Sequence, residues 1–164
     1  MSTFGPAAET QKRFIELFRA DPVLMTPNTG LLFPPYQPQI NGDDLRVYPA
    51  AVELPENPDL REALPRVLVE TVSFAHDYEQ TPTILEGPVT MYTHVVVPKE
   101  DEERGELIDA RLATLIASTR ASDARIIAAD FVPYGQRQRE RIPAFNGAWE
   151  IVSGYRSRNV GVLV

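Results

Sequence analysis

The stretch from Gly87 to Ala117, GPVTMYTHVVVPKEDEERGELIDARLATLIA, switches its periodicity once, and that switch constrains the fold more than any other feature. Thr90 to Val97 is β-branched and aromatic, bounded by Gly87-Pro88 and Pro98, which predicts a strand. Beyond Lys99 the period becomes helical. Ile108, Leu112, Leu115 and Ile116, with Leu107 beside them, form one apolar stripe. Glu100, Asp101, Glu102 and Glu103 occupy the first turn, where carboxylates suit the positive end of the helix dipole, and Arg111 lies on the flank away from the stripe. A strand feeding at once into an amphipathic helix predicts a helix packed on a sheet.

The rest of the chain extends this frame. Pro6 opens a helix over Ala7–Ala20, with Phe14, Ile15, Leu17 and Phe18 on one side and Glu9, Lys12, Arg13, Glu16 and Arg19 mostly on the other. Asp21-Pro22 stops it, because a residue before proline is pushed out of helical geometry. Residues 22–65 form a proline-rich arm, with Asn41-Gly42 a tight turn and a short strand inside Leu45–Val52, at an edge or bulged because of Pro49. Such an arm either wraps its own domain or reaches a neighbouring subunit.

Arg66–Phe74 reads as a strand pairing antiparallel with Thr90–Val97 through a polar connector, Asp77–Pro88. Arg125–Val132 and Ala148–Arg156 are further strands, with Gly161–Val164 extending the last after a bend. Between them, Pro133–Pro143 is a polar loop or flared hairpin. This order predicts an α+β fold within one domain over residues 1–164: a mostly antiparallel sheet of about four strands, two helices on one face, and the arm.

Composition narrows the chemistry. Without cysteine there is no disulfide, thiol nucleophile or cysteine metal site. No apolar run reaches the length of a membrane span and no leader is evident, so no membrane partner is expected. The net charge of −7 is unevenly spread: residues 1–118 sum to −10 and residues 119–164 to +3. Both halves can be solvated surface, or an acidic side can meet a basic side head-to-tail between copies. The acidic balance and the lack of a basic stripe with interleaved aromatics argue against direct nucleic-acid recognition.

No constellation for catalysis stands out. His76, Asp77 and His94 could meet if the strands pair as expected, yet no HxH or HExxH spacing supports a metal site, and no cofactor is implied. P-loops, dinucleotide fingerprints and nucleophile elbows are missing. The carboxylates from Glu100 to Glu103, with Glu106 and Asp109, lack the EF-hand spacing and read as helix-start acids. Gln136, Arg137, Gln138, Arg139 and Arg141 would sit badly in a core. They fit a solvated tip or a contact loop, since arginine supplies bidentate hydrogen bonds at interfaces.

The succession of N-terminal helix, LRVYP segment, VLVETVSF, EGPVTMYTHVVVP and the helix EDEERGELIDARLATLIA, closing with GAWEIVSGYRSRNVGVLV, resembles the tail terminator (tail completion) proteins of long-tailed bacteriophages. The likeness covers residues 45–164 in order and spacing, through strand and helix patterns. It implies a structural protein and no enzyme: a hexameric ring, at the tail–neck junction of a virion assembled in the host cytoplasm. Such a ring caps the tail tube, stops its polymerisation and meets the head-side connector or stopper protein. The bet on contacts falls on Gln136–Arg141 and on Glu100, Asp101, Glu102 and Glu103. Two alternatives stand beside it: a neck or head-completion connector of the same virion, and a small-ligand or enzymatic domain using His76, Asp77 and His94.

Overall fold

The computed structural model describes residues 5–40, 42, 44–50, 64–73, 78–118, 126–128, 130–133, 138–141 and 148–163, with backbone alone for 126–128 and 138–141. Helix α1 (Pro6–Arg19) begins with Pro6, whose missing N–H costs nothing at that position. A short α2 (Pro22–Met25) follows, capped by the Asp21 side chain, which accepts from the Leu24 N–H at 3.2 Å. Strands β1 (Val47–Pro49), β2 (Arg66–Val72), β3 (Glu79–Gln80) and β4 (Ile84–Pro98) precede a 3-10 turn, Lys99–Asp101, and helix α3 (Glu102–Ser118). Strands β5 (Ile126–Ala128), β6 (Val132–Pro133), β7 (Gln138–Arg141) and β8 (Ala148–Leu163) complete the described chain. The fold is α+β, as the sequence predicts.

All the strands join one sheet of order β1-β2-β4-β8-β5. Its spine is the antiparallel β4–β8 pair, in which Val97 lies opposite Trp149, Thr93 opposite Ser153 and Val89 opposite Ser157. β2 pairs antiparallel with β4, and β1 adds a parallel edge in which Val47 meets Val67. That β1 is an edge strand agrees with Pro49, which has no N–H to offer a further neighbour.

Strand alternation sends one set of side chains towards the helices. Val67, Val69, Met91, Val95, Val97, Ile151 and Tyr155 form the core with Phe14 and Phe18 of α1 and Ile108, Leu112 and Ile116 of α3. Phe14 meets Phe131 edge-on, with centroids 5.3 Å apart, and this contact ties α1 to the segment entering β6. At Gly105, α3 comes so near the sheet that an added Cβ would stand 2.9 Å from Val97 Cγ2 and 3.1 Å from Ile151 Cδ1.

The arm turns back on its own chain over residues 22–40. Leu24, Leu32 and Phe33 are fully buried in the core, and the hairpin-like return is held by Leu31 N–H to Val23 O and Leu32 N–H to Leu24 O. Arg46, 2% exposed, donates to Asp44 and to the Leu64 carbonyl and stacks 5.2 Å from the Phe33 ring centroid. Residues 51–63 and most of the Asn41-Gly42 turn lie outside the described residues.

Several expectations change. The Asp77–Pro88 connector contains β3 and the start of β4, closed by a turn in which Thr81 N–H donates to Ile84 O and Ile84 N–H to Thr81 Oγ1. Leu107, placed with the stripe, is 52% exposed, because the 3.6-residue repeat that buries Ile108, Leu112 and Ile116 carries it past the edge of the contact. Glu9, placed on the solvent side of α1, is buried.

The expected strand Arg125–Val132 and the polar loop or flared hairpin Pro133–Pro143 contain β5, β6 and β7, which agrees with the hairpin. These pair in turn with Val162–Gly161, Arg156–Tyr155 and Val152–Trp149 of β8, so they run as one interrupted edge strand. A strand rich in charge is well suited to an edge, where it discourages further pairing. β8 itself continues to Leu163. Between Ser157 and Val160 it carries one residue more than β4 has between Val89 and Gly87, a bulge that changes which positions point inward. Ile151, Ser153, Tyr155 and Ser157 are buried before it, and Val160 and Val162 after it.

Candidate functional site

The residues singled out from the sequence fall in three places. Gln138, Arg139 and Arg141 stand on β7, opposite Val152, Ile151 and Trp149, so this part of the expected loop or flared hairpin is edge strand. Gln136 and Arg137 lie outside the described residues, as do His76 and Asp77.

The acidic start of α3 is partly committed within the chain. Tyr36 of the arm donates its hydroxyl to Asp101, which also accepts from Arg104 Nε at 2.7 Å, and Arg104 reaches the Leu31 carbonyl at 3.3 Å. Burial, followed by the Asp101 hydrogen bond, pushes the Tyr36 phenol well above its ordinary range. Asp101 is therefore a clasp between the arm and α3. Glu100 and Glu103 stand on the exposed side of this turn, and Glu102 is half-buried.

Further along α3, Arg111 makes a two-pronged contact with Asp21, Nε to Oδ2 at 3.0 Å and Nη2 to Oδ1 at 2.6 Å. This bidentate pairing holds the start of α2 against α3. It uses the flank of Arg111 that the sequence placed away from the apolar stripe.

Of the His76, Asp77 and His94 trio, His94 alone lies among the described residues. It stands mid-β4 on the sheet face away from the helices, between two carboxylates the sequence reading did not connect with it. Nδ1 lies 2.6 Å from Glu150 of β8 and Nε2 3.0 Å from Glu70 of β2. The hydrogen bond to Glu150, opposed by partial burial and helped by Glu70, holds the imidazole above its ordinary value. The two carboxylates flank opposite edges of the ring and do not converge on one point. Among the described residues no group of three or more His, Asp or Glu is arranged to hold a metal ion.

On the helix-facing side, Asp109 is fully buried and accepts from Ser153 Oγ at 2.8 Å. Read as a helix-start acid, it is instead a polar bolt between α3 and β8. Its position four residues after Gly105, on the side of α3 that meets the sheet, is the signal that could have found it. Beside Ser153 an apolar cleft of about 170 Å³ opens between the end of α3 and β6–β8, lined by Ala113, Ile116, Phe131, Pro133 and Tyr155.

No protein-family model matches the chain, and no curated protein matches it. Its fold is similar to that of a solved chain described as "Virion of native gene transfer agent (GTA) particle", with a TM-score of 0.54 at 16% identity. The match covers 96% of this chain and 98% of that one. At this identity the likeness is one of fold. Among the described residues no helix is long and apolar enough to cross a membrane.

Proposed function

We propose that this chain is a structural protein of a virion, acting as one domain and without enzymatic chemistry. The observation that carries the reading is the near end-to-end likeness of its fold to a chain of a virion particle, 96% of one and 98% of the other. Within that class we assign it to the tail terminators: a subunit of a six-fold ring at the tail–neck junction that caps the tail tube, stops its growth and meets the head-side connector. Support for this finer role comes from the sequence resemblance over residues 45–164 and from the separation of charge along the chain. A ring closes through heterologous contacts, in which one patch meets a different patch on the next copy.

The arginine-bearing edge around β7 and the exposed carboxylates at the start of α3 are the complementary patches proposed for that contact. Glu100 and Glu103 would carry the acidic side, flanked by the half-buried Glu102, with Asp101 holding the turn in shape through Tyr36 and Arg104.

Light scattering on the purified chain, alone and with tail-tube protein, tests the assignment, together with negative-stain images. Rings on their own, or rings that appear when tube protein is added, support it. A persistent monomer that ignores tube protein refutes the terminator role, and rings that bind only the head-side connector replace it with a neck protein. Arg137, Arg139 and Arg141 changed together to Glu should leave the monomer folded and prevent assembly; normal assembly by that variant removes β7 from the interface.

A further inference from the structure

Both ring nitrogens of His94 lie within hydrogen-bonding distance of a carboxylate oxygen, one on each flanking strand. A neutral imidazole has one N–H and one lone pair, so it can satisfy only one of these partners and turns its lone pair on the other. The imidazolium donates to both. The contacts also cross register: His94 is directly opposite Leu68 on β2 and Val152 on β8, whereas Glu70 and Glu150 stand two positions away on those strands. The bonds are thus diagonal braces between the three strands that carry the core.

The geometry points to His94 as a protonation-operated buckle, which as an imidazolium ties β2 and β8 to β4 and on losing its proton lets go of Glu70 while keeping Glu150. The direction of release follows from the two contacts. The Glu150 contact is shorter, 2.6 Å against 3.0 Å, and its side chain is 23% exposed against 44% for Glu70. The single remaining proton therefore stays on Nδ1, where the carboxylate is least well hydrated, and Glu70 turns to water. The buckle changes from a net charge of −1 to −2 in doing so.

Among the described side chains the other titratable or charged groups on this face are Tyr48 of β1, Arg66 of β2, Glu79 of β3, Glu86 and Tyr92 of β4 and Arg156 of β8, and in the register Glu140 of β7 pairs with Glu150. Arg66 is held 4.8 Å from the Tyr48 ring centroid. The helices pack on the opposite face.

The sign of the pH effect is fixed by this arrangement. The folded chain holds the His94 proton more tightly than the unfolded chain, whose histidine titrates at its ordinary 6.5. The stabilisation is complete below that value and is lost as pH rises through the higher folded value. Across that window the unfolding constant grows tenfold for each unit of separation.

Nitrogen-15 NMR of the histidine rings tests the buckle in the full chain, with His76→Gln used to assign the two signals. At about pH 6 both His94 nitrogens should be protonated. Its midpoint should lie above 6.5, and the neutral form should keep its proton on Nδ1. The Glu70 carboxyl carbon should shift at that same midpoint. Glu150→Gln should lower the midpoint more than Glu70→Gln does, and Glu70→Gln should flatten the fall of stability with pH. A bare ring nitrogen at about pH 6, a midpoint at or below 6.5, or a neutral form protonated on Nε2 overturns the proposal, and all three are read on the parent chain even if a variant fails to fold.

Discussion

Two leucines five residues apart on α3 give the sharpest test of how this helix sits. Leu112 is fully buried in the core, whereas Leu107 is 52% exposed. Leu→Ala removes three carbons, worth about 2.4 kcal/mol of transfer free energy when the site is wholly shielded. At Leu112 the shortened side chain also leaves a void beneath a helix already fixed close to β4 at Gly105, which raises the expected loss to about 2.5–5 kcal/mol. At Leu107 about half of the transfer term is at stake and no void forms. Alanine's slightly better helix propensity returns a little, leaving about 0.5–1 kcal/mol.

For a chain of this length these figures translate into a Tm drop of roughly 5–20 °C for Leu112→Ala and roughly 1–4 °C for Leu107→Ala. Urea unfolding followed by circular dichroism measures both, with unchanged m-values as the sign that stability alone has moved. Repeating each curve at two protein concentrations separates self-association, which makes the midpoint concentration-dependent. Equal losses at the two positions, or a larger one at Leu107, would refute the rotation of α3 described above.

Three further outcomes follow from close contacts. Gly30→Ala places a Cβ 2.4 Å from the Leu24 carbonyl oxygen, so backbone must move, and calorimetry should show a loss of about 2–4 kcal/mol. Gly105→Ala gains helix propensity of about 1 kcal/mol but drives Val97 off its place, so chemical denaturation should show a net loss of up to about 2 kcal/mol. Ser153→Ala strips the buried Asp109 of its hydroxyl donor and should cost about 1–3 kcal/mol in the same assay, and Ser153→Thr, which keeps a hydroxyl, should recover part of it.

What the sequence disclosed about the fold depended on periodicity. α1, α3, β2 and β4 carry strong apolar repeats, and β8 alternates through Ile151, Ser153 and Tyr155, so each could be located before any coordinates. β7 has no apolar repeat: Gln138, Arg139, Glu140 and Arg141 read equally as loop or flared hairpin, because the partner that makes them a strand, Trp149–Val152, lies further along the chain. Leu107 was grouped with the core because a single helix repeat tolerates neighbours on either side, and only the sheet beneath decides where the contact ends.

The buckle was illegible for a different reason. Glu70, His94 and Glu150 are separated by 24 and 56 residues, and their meeting depends on the register of two strand pairs, which a pattern of side-chain types does not encode. Asp109 shows the converse, since a carboxylate on the inward side of a helix was visible but Ser153, its partner, was not.

The bulge in β8 gives the chain an unequal tolerance to changes of length. Deleting Asn159 would restore even spacing with β4 and keep the later pairs, Val160 opposite Gly87 and Val162 opposite Leu85. Val160 and Val162 would go on facing the core, whereas one residue lost between Ile151 and Tyr155 would turn the inward set on one side of the gap to the outer face. Point substitutions at Arg158 and Asn159, both exposed, meet no such constraint. In lineages of this fold, positions 158 and 159 are where both side chain and residue count can drift, while the flanking Ser157 and Val160 stay fixed in the core.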